Sequence, residues 1–419
     1  MFPQITSEDV LSAYKELRHS VNQTPLIYDQ YLSDKYKAAI YLKREDLQIV
    51  RSFKLRGALY AINQLSEEEL ANGVICASAG NHAQGVAYTC QLKKVQATIF
   101  MPKTTPKQKI DQVQYFGGDY VNVIIQEDTF DESNRAAHVY AKEHNLTFIE
   151  PFNDVNVILG QGTIGVEIHQ DLVANGDQAD FILVPIGGGG LISGVGTYVK
   201  EAMPTTAIIG VEPTGAASMA LAIKVGEPTE LEYVNKFCDG TAVAKVGELT
   251  YQYAKEYVDE FIAVPEGQVS QTILDLYSKQ AIVVEPSGAL TVAALEQMKD
   301  QIKGKTVVCI ISGGNNDISR MAEIEEQAMV YHGLQQYFIV KFPQRAGALR
   351  EFVTDVLNAD DDITRFEYTK RINRSQAPVF IGILLGQQEN LESLLERIKQ
   401  FDSNYINVTE NPTIYQLLV

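Results

Sequence analysis

A chain of 419 residues, 45% hydrophobic and 21% charged, is long enough to build two or three domains rather than one. Asp and Glu number 53 against 35 Lys and Arg, a formal net charge of −18, which is the wrong sign for nucleic acid or an anionic membrane surface and excludes such partners. The start, MFPQITSEDV, has neither a basic segment nor an apolar core, and no stretch approaches the ~20 uninterrupted apolar residues of a membrane span, so a soluble, cytoplasmic protein is expected.

Thr6-Ser7-Glu8-Asp9 is a capping-box-like start, and Val10, Leu11, Tyr14 and Leu17 follow at helical spacing, which predicts an amphipathic opening helix. Short β-type runs then alternate with helical stretches: Ile40–Lys43, Gly73–Cys76, Ala97–Met101, Tyr120–Ile125, Thr147–Ile149, Phe181–Ile186, Ala207–Val211 and Thr306–Ile311. That rhythm predicts an α/β fold of open, mostly parallel sheets with flanking helices. The four cysteines, Cys76, Cys90, Cys238 and Cys309, lack ligand-like spacing and read as buried thiols of a reducing compartment. A polar helical stretch, Arg320–Gln336, separates this region, residues 1–330, from a tail over 336–419. In the tail, strand Tyr337–Phe342, helix Ala346–Leu357, strands Ile363–Arg371 and Val379–Leu385, helix Leu391–Phe401 and strand Tyr405–Val408 give the order βαββαβ, a separate ferredoxin-like module.

Four junctions between these elements gather residues able to do chemistry. Arg51-Ser52-Phe53-Lys54-Leu55-Arg56 sets three cations at a helix N-terminus, where the macrodipole disfavours positive charge. A bound anion and a partly neutral Lys54 amine, ready to form a Schiff base, would offset that cost; a solvated basic edge is the plainer alternative. The strand Gly73–Cys76 runs into Ser78-Ala79-Gly80-Asn81-His82-Ala83-Gln84-Gly85, a turn whose backbone N–H groups can cradle a carboxylate. Asn81 can bond a ring hydroxyl or act as an ordinary N-cap, and His82, with no Ser or Asp completing a triad, reads as a polar residue at a helix start. After Phe181–Ile186, the run Gly187-Gly188-Gly189-Gly190-Leu191 is entropically costly and points to close approach of backbone to a ligand, at a strand-to-helix junction most naturally a phosphate. A dinucleotide fingerprint fails, because Ile192 and Ser193 stand three residues beyond Gly189 and Gly190, although Glu212 ends the next strand where a ribose-binding acid would sit. Finally, Ser312 at the end of Thr306–Ile311 can hydrogen-bond a ring nitrogen or merely serve a turn.

Together, Ser52-Phe53-Lys54, Ser78–Gln84, Gly187–Leu191 and Ser312–Asn315 resemble the cofactor-lysine motif, asparagine loop, phosphate cup and pyridine-nitrogen site of the fold-type II pyridoxal-phosphate enzymes, and specifically of the threonine dehydratases. The resemblance implies that fold over residues 1–330, with a smaller subdomain at roughly 52–150. It implies pyridoxal 5′-phosphate held by Phe53, Lys54, Asn81, Gly187, Gly188, Gly189, Gly190, Leu191, Ser312 and Glu285 of Val284-Glu285-Pro286-Ser287-Gly288. Lys54 would be the Schiff-base lysine and the base at Cα, its pKa lowered by the helix dipole, while Ser78, Ala79, Gly80, Asn81 and His82 would bind substrate. The expected reaction is dehydration and deamination of L-threonine to 2-oxobutanoate and ammonia, toward isoleucine, with L-serine as a second candidate substrate. Racemase-type relatives carry a serine acid/base where this chain has Ala79, so racemisation is expected to be poor. Some relatives bind a divalent cation through a V-E-P glutamate and an Asp six residues on; Ser218 stands at that spacing from Glu212, so no metal is expected. The tail resembles the ACT-like regulatory module of biosynthetic threonine dehydratases, with Phe342–Leu349 as its turn, which implies isoleucine and valine as effectors and a homo-dimer or homo-tetramer. A serine-specific dehydratase or threonine synthase-like lyase is the alternative enzyme, and an amino-acid sensor on an idle scaffold the non-enzymatic one, against which Lys54 argues.

Overall fold

The capping box at Thr6 forms: its side chain accepts the Asp9 N–H, the Asp9 carboxylate accepts the Thr6 N–H, and the helix Ser7–Leu17 buries Val10, Ala13 and Leu17. In the computed structural model, which describes residues 2–369 and 375–419, this helix belongs to the first of two units that divide between Ile318 and Ser319.

Strands β1 (Leu26–Tyr28) and β2 (Ala39–Arg44) begin the larger sheet of that unit. The chain then builds a smaller sheet from β3 (Val74–Ala77), β4 (Ala97–Met101), β5 (Val121–Ile125) and β6 (Thr147–Phe148). It returns to the larger one with β7 (Phe181–Pro185), β8 (Ala207–Pro213), β9 (Glu260–Val264) and β10 (Thr306–Ile311). The orders are β5-β4-β3-β6, all parallel, and β1-β2-β10-β7-β8-β9, parallel except for β1 on β2. The two strands not anticipated from sequence, β1 and β9, are short strands of three and five residues at the two edges of the larger sheet, and only Val264 among their residues is fully buried. By contrast, β10 inserts between β2 and β7 and is buried on both faces, as a central parallel strand must be. Parallel pairing brings the carboxyl ends of β2, β10 and β7 to one edge, the place where an open α/β sheet offers a ligand crevice.

In the second unit β11 (Gln335–Pro343), β12 (Asp362–Tyr368), β13 (Gln376–Leu384) and β14 (Ile406–Asn407) form an antiparallel sheet in the order β12-β13-β11-β14. With helices Ala348–Asp355 and Leu391–Phe401 the observed order is βαββαβ. Period-two alternation divides β11: Phe338, Val340 and Phe342 pack with Phe352, Leu394 and Ile398 of those helices, whereas Tyr337 and Ile339 join Phe380 and Val408 on the opposite face. Val330 and Tyr415, from helices Met321–Tyr331 and Pro412–Leu418, cover that second face. The division therefore falls ahead of the boundary read from sequence, because Met321–Tyr331 packs on the second unit's sheet. Gln335 and Gln336, read from sequence as helical, instead open β11 opposite Leu384 and Ile383. Lys370 and Arg371, the end of the strand expected over Ile363–Arg371, lie outside the described residues.

Candidate active site

Lys54 opens the helix Lys54–Asn63, and the segment before it is tied to the loop after β10. Ser52 makes an antiparallel bridge to Gly313, and the Phe53 N–H donates to the Ser312 carbonyl at 3.1 Å. The Lys54 Nζ donates to the Pro151 carbonyl at 2.7 Å and lies 5.5 Å from the centre of the Phe53 ring. Burial pulls its pKa down to about 8, against the opposing attraction of Glu285. Desolvation thus takes the role that the sequence had assigned to the helix dipole.

The three cations of the motif part company. Arg51 lies outside the helix, exposed, with φ +57°. Arg56 is fully buried, its guanidinium paired twice with Glu45 (2.8 and 2.9 Å) and twice with Glu167 (2.6 and 2.8 Å), while Lys43 adds a 2.7 Å bond to Glu167. Two buried carboxylates, not a bound anion, therefore offset the Arg56 charge.

Asn81 is the first residue of the helix Asn81–Lys93 and is not its cap; Gly80 holds that position without a side-chain bond. This leaves the Asn81 amide free to donate to Glu285 Oε1 (2.7 Å) and to accept from Asn315 Nδ2 (2.7 Å). The Ser78 N–H is used by the Phe100 carbonyl and the Gly80 N–H by Ser78 Oγ, whereas the N–H groups of Ala79, Asn81 and His82 meet no acceptor among the described residues. A side chain at Gly80 would enter open space, so these donors border a void able to take a carboxylate. The His82 ring is elsewhere: it is buried, with Nε2 at 2.8 Å from the Ile149 carbonyl, and burial lowers its pKa to about 3, so it stays neutral. The expected substrate contact from His82 is thus open only to its backbone N–H.

Gly187, Gly188, Gly189, Gly190 and Leu191 join β7 to the helix Gly190–Ala202, with Gly189 at φ +94°. A Cβ would come within 2.9 Å of Thr241 at Gly187, 2.2 Å of the Phe152 ring at Gly188 and 2.7 Å of Met219 at Gly189. Protein packing behind the turn, rather than ligand approach alone, requires these glycines. None of the five N–H groups meets an acceptor among the described residues, a row of donors at a helix N-terminus fit for a phosphate. Pro151 and Phe152 connect this cup to Lys54, since the first binds the amine and the second packs on Gly188 and Gly190.

Ser312 is 2% exposed, its Oγ 3.3 Å from the Ser287 carbonyl, and it caps no helix. Glu285 precedes the helix Pro286–Ala293; burial, reinforced by Asp239, raises its pKa to about 7 against the Asn81 hydrogen bond. Glu212 turns its carboxylate onto the N–H groups of Met219 and Ala220 (2.7 and 2.9 Å), where the helix Ser218–Val225 begins. Sequence reasoning missed Pro151, Phe152, Glu45 and Glu167, for which no local signal exists; Asn315 stood at the end of the Ser312–Asn315 segment without a role of its own. The assembled site offers an amine that is partly neutral near pH 7, two rows of anion-seeking N–H groups, an oriented carboxamide and a neutral hydroxyl.

Two family comparisons match this chain: the pyridoxal-phosphate dependent enzymes over residues 17–313, and the C-terminal regulatory domain of threonine dehydratase over residues 326–418. The biosynthetic L-threonine dehydratase IlvA of Lactococcus lactis is 55% identical over 99% of this chain and all of its own length, and that of Staphylococcus aureus 52% identical over 99% of each. Among solved structures, the processed form of threonine deaminase isoform 2 from Solanum lycopersicum (40% identity, TM-score 0.73) covers 78% of this chain and 99% of its own. Serine racemase from Dictyostelium discoideum (32% identity, TM-score 0.69) covers 75% of this chain and 99% of its own.

Proposed function

We propose a division of labour among the site residues from the premise that this chain belongs to the pyridoxal-phosphate dependent enzymes and carries the regulatory domain of threonine dehydratase. It is an L-threonine ammonia-lyase, converting threonine to 2-oxobutanoate and ammonia with pyridoxal 5′-phosphate as cofactor. When bound, the cofactor supplies the electron sink for the negative charge that develops at Cα. Lys54 is the cofactor lysine and the base at Cα, and the observation that carries this reading is its desolvated amine, with a pKa of about 8, joined through Pro151–Phe152 to the unsatisfied Gly187–Leu191 cup.

In this reading the five N–H groups of the cup would hold the phosphate, Asn81 would donate to the ring oxygen, Ser312 would offer the ring nitrogen a neutral hydroxyl, and Phe53 lies beside the Lys54 amine. Glu285 anchors Asn81 from behind. The Ser78–His82 turn receives the substrate carboxylate through the free N–H groups of Ala79, Asn81 and His82. The second unit binds a branched-chain amino acid, isoleucine as inhibitor, and the protein works in the cytoplasm as a homo-oligomer; among the described residues no helix is long and apolar enough to cross a membrane.

The test is 2-oxo acid formation from threonine and from serine by the parent and by Lys54→Ala. Threonine turnover by the parent, and loss of both turnover and the cofactor's visible absorption in the variant at unchanged circular dichroism, are expected. Retained turnover in Lys54→Ala rejects the assignment of Lys54.

A further inference from the structure

Asn315 sits at the centre of a hydrogen-bonded set whose polarity can be worked out from chemistry alone. Its Nδ2 lies 2.9 Å from the Val50 carbonyl, 2.7 Å from Asn81 Oδ1 and 3.1 Å from Gln84 Oε1. A backbone carbonyl can only accept, so the Asn315 atom facing Val50 must be the amide nitrogen. Its two N–H bonds, shared among the three neighbours, then require oxygen from both Asn81 and Gln84. With the Asn81 oxygen so committed, its NH2 must point the other way, toward Glu285 Oε1 at 2.7 Å, with one N–H left over. Turning Asn315 over would set its oxygen against three acceptors, and in the observed orientation Asn315 Oδ1 has no partner among the described residues, so nothing favours the reversed state. The anchor holds whether Glu285 is ionised or not, because Val50 carries no titrating group.

We infer that Asn315 is a positioning residue that forbids the Asn81 carboxamide to flip, so that Asn81 always presents a donor to the cofactor ring. The inference rests on the proposed contact between Asn81 and the ring oxygen. Without Asn315 the orientation would rest on Glu285, which as a carboxylate accepts the Asn81 NH2 but when protonated can donate to a reversed carboxamide; that reversed Asn81 offers the ring oxygen an acceptor, and the lost hydrogen bond is replaced by repulsion. Asn315 touches neither cofactor nor substrate in this account; it acts through Asn81.

Cofactor titration of the apoprotein, followed by fluorescence, separates orientation from mere support. Asn315→Ala removes the restraint that does not titrate and leaves Asn81 to Glu285 alone, and the near-isosteric Asn315→Asp opposes the observed orientation, since an aspartate beside the Val50 carbonyl draws the NH2 groups of Asn81 and Gln84 toward itself. Each is expected to weaken cofactor binding about tenfold, with Asn315→Asp the worse, and to move the pH midpoint of the visible band. In an Asn81→Ala background, Asn315→Ala should then cost less than twofold, because the group it orients is gone. Equal losses with and without Asn81, or cofactor binding within twofold of the parent in both single variants at native circular dichroism, overturn the inference. If Asn315→Ala fails to fold, Asn315→Asp in the two backgrounds decides alone. Failure of the Lys54 assignment would be seen separately, as turnover retained by Lys54→Ala, and leaves this titration interpretable.

Discussion

The low pKa of the Lys54 amine comes from where the fold puts it, and that leaves a thermodynamic trace. Its folded-state pKa of about 8 lies below the ordinary 10.5, so between those values the folded chain holds fewer protons than the unfolded one. Unfolding free energy must therefore rise as pH increases through this window, and the cost of the buried charge is fully present below pH ~8. Lys54→Met should make the apoprotein more stable by roughly 2 kcal/mol near neutral pH, with that advantage fading toward pH ~10.5; urea denaturation of both proteins at several pH values checks it, and a pH-independent difference would contradict the cause given. Ala79 is the second residue with a sharp consequence. It precedes Gly80, where a side chain would meet open space, and its methyl group has no proton to give to a substrate held by this turn in the proposed reading. Ala79→Ser should yield D-serine from L-serine above the parent's level by chiral chromatography, and no gain would mean that the hydroxyl cannot reach Cα.

At the scale of elements, the helix that carries Lys54 is gripped from two sides. A Cβ on Gly85 would stand 3.1 Å from the Lys54 carbonyl, so the Asn81–Lys93 helix packs directly on its first turn. On the other side, Gly57 and Gly160 allow close contact with the helix Val155–Asn175, from which Glu167 reaches Arg56. The Lys43, Glu45, Arg56 and Glu167 side chains are all buried and pair two cations with two carboxylates, with the half-buried Asp171 3.9 Å from Lys43 at the margin of the group. Removing one member leaves a buried charge without a partner. Arg56→Met and Glu167→Gln should each lower stability by about 3–5 kcal/mol in urea denaturation, and Arg56→Met combined with Glu167→Leu should cost less than the sum of the separate changes. A loss under ~1 kcal/mol in the single variants would show the network to be solvated after all.

For the whole molecule, the residues proposed for the active site fall in the first unit, before Ile318, and the regulatory match falls in the second, which has its own two-faced core around β11. Isoleucine binding to the second unit should weaken threonine saturation, and by linkage threonine must weaken isoleucine binding by the same factor. Calorimetric titration of isoleucine with and without a non-reacting threonine analogue measures that factor, and a chain ending before Ser319 should, if it turns over threonine, be indifferent to isoleucine and valine. If the full chain neither binds isoleucine nor changes its threonine saturation, the second unit serves assembly instead, through the exposed edge of β12.

What lay in the sequence by itself was the set of features encoded by near neighbours. Hydrophobic period and turn chemistry placed β2, β3, β4, β7 and β10 within a residue or two at most ends, the βαββαβ tail, and the turns at Lys54, Ser78–Asn81, Gly187–Leu191 and Ser312. Only the tertiary structure decided what those residues are for, because burial and partnership come from segments far apart along the chain. Asn81 meets Glu285 across 204 positions, Asn315 meets Val50 across 265, and Arg56 finds Glu167 at a distance of 111. That is why Arg56 looked like an anion site and is a buried ion pair, why the His82 ring turns to the Ile149 carbonyl and leaves only its backbone N–H to the turn, and why the glycines that seemed shaped by a ligand are shaped first by Thr241, Phe152 and Met219. A local pattern fixes the path of the backbone; desolvation and charge compensation depend on what the fold brings alongside it.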